Sequence, residues 1–334
     1  MPSDTKYLYA VSRIKALETK LLSRNVIERM LDASSADEAL KVLGETDYGT
    51  SFGELESVYD FEKVLNSELK KVYKVIDDST RDSRFTQMAK LRHDFHNLKV
   101  MLKSEYLGEN YEGITVELGA VPLETMARAV REKDYTELPS ALKKAAEEAV
   151  MDFEFNRDPQ RIDIILDRQL FAALYKTAED IGFEAVKKFL ATEIDLININ
   201  IFVRTKRIGQ DARFLENALI DNGNLDKSLF IESLNEPLGT FIDKLSMSVY
   251  EEVAREGIQA VVDTGSTTLL EKLSDDFLLD QAKKGKFTAF GVEPIIGYLR
   301  AKENEVKIIR IIMVGKINNI PSDKIRERLR DVYV

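Results

Sequence analysis

"HDFH" at 93–96 holds both histidines of the chain. Three residues apart on a helix, His93 and His96 share a side, a spacing that can ligate a metal ion. A metalloprotease helix, however, needs its histidines four apart and a further ligand downstream. The chain has no cysteine to complete a site. The pair therefore reads as packing or hydrogen-bonding groups, and no metal is expected. The missing cysteines also exclude disulfides, thiolate ligands and cysteine nucleophiles, and are compatible with a reducing cytoplasm. Gly-Lys pairs occur in "GKFTAFG" and "GKIN", without the preceding glycine or following hydroxyl of a phosphate loop. No Gly-x-Gly-x-x-Gly follows a strand, and there is no nucleophile elbow. Carboxylates are abundant, yet nothing marks a pair for acid–base work. Runs such as "KKAAEEA" read as solvated helix faces. No catalytic residue and no cofactor is expected.

What remains is a polar stripe on three long apolar segments. At about 100° per residue on a helix, His96, Lys99 and Lys103 fall on one face of the first. Asn200, Arg204 and Arg207 do so on the second, and Lys307 and Arg310 on the third. The third segment, "KENEVKIIRIIMVGKIN" at 302–318, is otherwise apolar nearly all round, which implies burial on several sides. Either the stripes face solvent, or the three helices line a common bore and make it basic. A basic bore would attract a carboxylate-rich helix or the negative C-terminal end of one. These eight residues are the candidate partner-binding set.

The elements that must carry them are helical. Seven prolines and 16 glycines in 334 residues leave long runs of helix formers unbroken, favouring an all-α fold. "FEKVLNSELKKVYKVIDD" sets Phe61, Leu65, Leu69, Val72 and Ile76 on one stripe. "LDRQLFAALYKTAEDI" does the same with Leu166, Leu170, Leu174 and Ile181. Breaks are predicted at 107–122, 222–224 and 317–323, where Gly, Asn and Pro gather. Asn318, Asn319 and Pro321 should end the third long helix, and a last helix should run from Ser322 to near Arg330.

The long segments share a skeleton: an acid, then an aliphatic four positions on, then three apolar residues after one polar one. It reads Asp94–Leu98–Lys99, Asp195–Ile199–Asn200 and Glu305–Ile309–Arg310. Upstream of each lies an apolar pair eleven or twelve residues apart: Leu31 and Leu43, Val130 and Leu142, Leu234 and Leu245. Two elements recurring three times in the same order point to triplication, with repeats at 1–108, 109–215 and 216–334 packed as one body.

Composition bounds the rest. With 48 Lys+Arg against 58 Asp+Glu, the net charge is −10, which argues against a nucleic-acid binder. The N-terminus lacks the apolar core of a signal peptide, and no apolar run nears the roughly 20 residues of a membrane span. Any membrane association is then expected through a partner.

"FGVEPIIGYLRAKENEVKIIRIIMVGKINNIPSDKIRERL", with "YLYAVSRIKALETKLLS" near the start, resembles the C-subunit family of archaeal and bacterial V/A-type ATPases, relatives of the eukaryotic d subunit. The likeness covers essentially the whole chain. Gly291–Pro294 and Lys302–Lys316 are its most specific parts, and the segments at 92–104 and 191–209 resemble that family's internal copies. Asn200 departs from the charged residue of the other two copies. The resemblance implies three similar helical subdomains around a pseudo-threefold axis, forming a funnel. It implies a non-catalytic rotor subunit that couples the central stalk, held in the bore, to the membrane proteolipid ring at the other end. It also implies a peripheral place on the cytoplasmic face, serving ion transport linked to ATP synthesis or hydrolysis. The other reading of the residues is a helical-repeat scaffold that binds a different protein partner.

Overall fold

The computed structural model describes residues 4–109 and 113–334. Every regular element among them is a helix, and no strand occurs among the described residues. The chain divides into two compact units, Met1–Asp82 with Pro237–Val334, and Ser83–Glu236.

The first unit opens with α1 (Leu8–Glu18), α2 (Arg24–Asp32), α3 (Ala36–Gly44) and α4 (Phe61–Thr80). The start of α3 is fixed by Ser35, whose hydroxyl accepts the Glu38 N–H at 3.2 Å. Asp37 and Glu38 add negative charge where the helix end is positive. The predicted stripe Phe61, Leu65, Leu69, Val72 and Ile76 is buried on α4. Burial of such side chains, at about 1.5–3 kcal/mol each, is what holds the helix in place.

The second unit holds α5 (Arg84–Leu107), α6 (Leu123–Glu132), α7 (Ser140–Asn156) and α8 (Pro159–Ile181). It continues with α9 (Glu184–Arg207), α10 (Ala212–Ala218) and α11 (Lys227–Glu232). Asp158 caps α8 by accepting the Gln160 N–H at 2.9 Å. Pro159, at the first turn, removes an N–H that would have had no partner there. Leu166, Leu170, Leu174 and Ile181 are buried, and α8 packs against α5, α7 and α9.

The first unit resumes with α12 (Leu238–Leu245), a widened π turn at Val253–Ile258, α13 (Gln259–Thr264) and α14 (Thr268–Lys283). It ends with α15 (Glu293–Ile317) and α16 (Ser322–Arg326). The break after α15 is as expected: Asn318 caps it and Asn319 turns left-handed at φ 55°. The last helix is shorter than expected, closing at Arg326 instead of near Arg330. Tertiary hydrogen bonds hold the tail extended instead. The Asp331 N–H donates to Asp276 at 2.7 Å, Asn304 donates to the Asp331 carbonyl at 2.8 Å, and the Tyr333 hydroxyl donates to Glu18 at 3.0 Å.

The three long helices α5, α9 and α15 are 24, 24 and 25 residues long and repeat one burial pattern. The skeleton acids Asp94, Asp195 and Glu305 are 2, 0 and 5 % exposed. The next residue and the third, fourth and eighth beyond each acid are also buried in all three. The open side takes Lys99, Asn200 and Arg310. The upstream apolar pairs are buried too. After Leu43, the Thr46 hydroxyl donates to the Leu43 carbonyl and accepts the Tyr48 N–H. After Leu245, Ser248 makes the same two bonds, with Leu245 and Tyr250. Leu142 instead lies inside α7, which runs on through that position. The cuts between the compact units fall inside the sequence copies. One physical reason is visible within each unit: α5 packs on α8, and α15 packs on α4. Within each unit, then, a helix of one predicted repeat packs on a helix of another.

Candidate functional site

Lys99, Lys103, Lys307 and Arg310 are met by acids from neighbouring helices. On α5, Lys99 reaches Asp167 of α8 at 2.8 Å and Asp163 at 3.8 Å, and Lys103 reaches Asp163 at 2.8 Å. The exposed His96 sets its Nε2 3.0 Å from the Ile114 carbonyl. On α15, Arg310 grips Glu62 of α4 through two bonds of 2.6 and 2.8 Å. Lys307 is bonded to Asp275 of α14, which also receives Arg330 at 2.8 Å. On α9, Asn200 donates to the Leu196 carbonyl of its own preceding turn at 2.8 Å. Arg204 and Arg207 stand exposed in the last turn of α9, where cations complement the negative end of the helix. The structure therefore joins Lys99 with Lys103 through Asp163. It sets Arg310 on the equivalent neighbour of α15, and it leaves the α9 arginines at the surface. Ion pairs this open contribute about 0–1 kcal/mol each. They compensate one another's fields while keeping the stripes polar.

The skeleton acids have a different role, which their place in the repeat does not reveal. Asp94 accepts two backbone N–H groups, from Ala120 and Val121, both at 3.0 Å. Asp195 accepts those of Asn224 at 3.0 Å and Leu225 at 2.9 Å. Glu305 accepts the Leu22 N–H and, at 3.0 Å, the Tyr48 hydroxyl. Three residues beyond the acid, Asn97 exchanges two bonds with Val116, at 2.9 and 2.8 Å. Asn198 does so with Ile220, both at 2.9 Å. A side-chain amide held this way imitates one rung of a sheet and satisfies a loop's N–H and C=O together. Sequence reasoning missed this role; its available signal was Asn97 and Asn198, recurring three positions after an acid.

Lys302 is the second missed feature. It is 2 % exposed and lies 3.1 Å from both Glu68 and Glu305, over the Tyr48 ring. Burial works against its charge, but the two carboxylates outweigh it and its pKa is raised. Burial raises the Glu305 carboxyl, opposed by Lys302, the Leu22 N–H and the Tyr48 hydroxyl. Burial also raises Asp94, opposed by its two N–H donors. Beside Lys302 a cleft of about 210 Å³ is lined by Lys20, Asp47, Glu68, Lys71 and Tyr298, among others. Lys20 pairs with Asp47 at 2.9 Å, and Lys71 lies on the Thr50 and Ser51 hydroxyls, both at 2.7 Å.

Among the described residues, no group of His, Asp and Glu is placed to hold a metal ion. No helix among them is long and apolar enough to cross a membrane.

Comparison with known proteins gives the same direction throughout. The family model described as ATP synthase (C/AC39) subunit matches residues 10–328. The chain is 28% identical to the C subunit of the V-type sodium ATPase of Enterococcus hirae, covering 96% of this chain and 97% of that protein. It is 27% identical to the C subunit of the A-type ATP synthase of Methanocaldococcus jannaschii, covering 97% and 86%. It is 26% identical to the C subunit of the V-type ATP synthase of Thermus thermophilus, covering 98% and 99%. With a match this long, and relatives aligned nearly end to end, the chain belongs to the ATP synthase (C/AC39) subunit family.

Proposed function

We propose that this chain is a non-catalytic central-rotor subunit of a V/A-type ATPase. In this reading it seats the central stalk in a polar bore and stands on the membrane proteolipid ring at its other end. It transmits torque between ATP turnover and ion movement from the cytoplasmic face of the membrane. Three similar subdomains, bounded near 108/109 and 215/216, would stand around a pseudo-threefold axis as a funnel, with the stripes of α5, α9 and α15 turned to the bore. The observation that carries the reading is the family match over residues 10–328. The shared burial pattern of the three long helices supports it, because a coupler must be stiff and cores packed to crystal-like density transmit strain. A socket that releases its shaft should also be polar, since permanent interfaces are the more hydrophobic ones.

The test is assembly. The chain should co-purify with a stalk component and a proteolipid ring of its own complex. Arg204→Glu with Arg207→Glu should weaken stalk docking and flatten its salt dependence, with helicity kept. Reversing Lys99 or Arg310 would set like charges against Asp163, Asp167 and Glu62, so a loss of docking there would mix two effects. Docking unchanged by the pair would refute the basic-bore reading. Failure to bind stalk or ring at all would refute the rotor assignment.

A further inference from the structure

The three skeleton acids reach forward in the same register. Val121 lies two residues before α6 begins at Leu123, Leu225 two before α11 at Lys227, and Leu22 two before α2 at Arg24. Each donates its N–H to the acid of a long helix: α5, α9 and α15 in that order. So the long helix of copy one holds the loop that opens copy two. The helix of copy two holds the loop that opens copy three. The helix of copy three holds the loop between α1 and α2 of copy one. We propose that Asp94, Asp195 and Glu305 are clasps that fasten each module to the next. Glu305 thereby locks the start of the chain to the last long helix.

The surrounding residues fit the reach of each acid. An aspartate is short, so the loop backbone must come down to it. Gly119 and Gly223 stand just before the donating pairs, and a methyl group on either would fall on the carboxylate oxygen of Asp94 or Asp195. Glutamate is one methylene longer, and in the loop that Glu305 holds the corresponding position is Lys20, a residue with a full side chain. The second fastening follows the same logic. Val116 and Ile220 lie five residues before Val121 and Leu225, in loops, and take Asn97 and Asn198 as partners. Five residues before Leu22 is Leu17, inside α1, where the helix supplies its backbone bonds. There the third long helix carries Ile308 in place of asparagine. Polar partners occur where loop backbone needs them and an apolar residue occurs where it does not.

Amide hydrogen exchange on the full chain tests the clasps residue by residue. Asp94→Asn and Asp195→Asn replace one acceptor oxygen by an NH₂ group facing an N–H. They should speed exchange at Ala120 and Val121, or at Asn224 and Leu225, by roughly ten- to a hundredfold. Glu305→Gln should do the same at Leu22, on the far side of the sequence. Gly119→Ala should open Ala120 and Val121 while leaving Asp94 in place. Lys20→Ala should leave Leu22 unchanged, because no close approach is made there. Exchange at the clasped amides unaltered by the acid variants would overturn the proposal. So would Glu305→Gln speeding amides throughout the chain with no excess at Leu22, or Lys20→Ala acting like Gly119→Ala.

Discussion

Gly315 sits inside α15, where helix propensity alone favours alanine by about 1 kcal/mol. On the sequence, Gly315→Ala should stabilise unless the backbone is approached closely there. The structure supplies that approach. A Cβ at 315 would lie 2.6 Å from both Cδ1 and Cγ1 of Ile325, and 3.6 Å from its Cγ2. Ile325 is 1 % exposed and belongs to α16, which packs on α15, so the side chain has no free volume to enter. Overpacking of this kind costs about 1–3 kcal/mol. Set against the propensity gain, Gly315→Ala should destabilise the protein by about 1 kcal/mol, read as a lower urea midpoint at unchanged slope. The decisive measurement is the double-mutant cycle with Ile325→Ala, which removes both offending carbons. In that background the conflict is gone, and Gly315→Ala should stabilise by about 1 kcal/mol. A stabilising effect in the parent chain, or the same sign in both backgrounds, would refute the reasoning.

Two further outcomes follow from the buried groups of the first unit. Lys302→Met removes the cation that Glu68 and Glu305 share, leaving Glu68 only the more distant Lys71, and should cost about 3–5 kcal/mol by equilibrium unfolding; a loss under about 1 kcal/mol would mean that the cluster is not a coupled unit. Burial pushes the Tyr298 hydroxyl up from its ordinary 10.0 to about 12. Between those values the folded chain holds a proton that the unfolded chain has released. Its contribution is therefore fully present below about pH 10 and lost as the pH rises toward 12, amounting to about 2–3 kcal/mol. Tyrosinate absorbance followed together with unfolding should show the late titration, and Tyr298→Phe should lower its amplitude by one tyrosine, since burial raises Tyr48, Tyr135 and Tyr333 as well.

The all-helical character, the main breaks and the apolar stripes of α4 and α8 are legible in the sequence because they depend on local spacing. The shared skeleton is legible for the same reason: its acid and the aliphatic four positions beyond it are buried alike in α5, α9 and α15. What cannot be read are contacts between distant segments. Nothing near Lys99 in sequence announces Asp163 and Asp167, and nothing near Arg310 announces Glu62. The stripes can be drawn, but not the acids that face them. Lys302 reads as the polar start of an apolar phrase, although it is among the most buried charges of the chain. The last helix comes out too long because propensity carries no record of Asp276, Asn304 and Glu18 holding the tail.

The two forms of clasp also constrain how this sequence can change over generations. A glutamate at 94 would be driven into the backbone at Gly119, and a bulkier residue at 119 would be driven into Asp94. Each single step between the aspartate–glycine form and the glutamate–lysine form is worse than either end. Joints of the two forms cannot be converted into one another by exchanging single residues. Inheritance therefore holds each joint to its own version, and a transplanted segment should work only when the acid and its facing loop travel together.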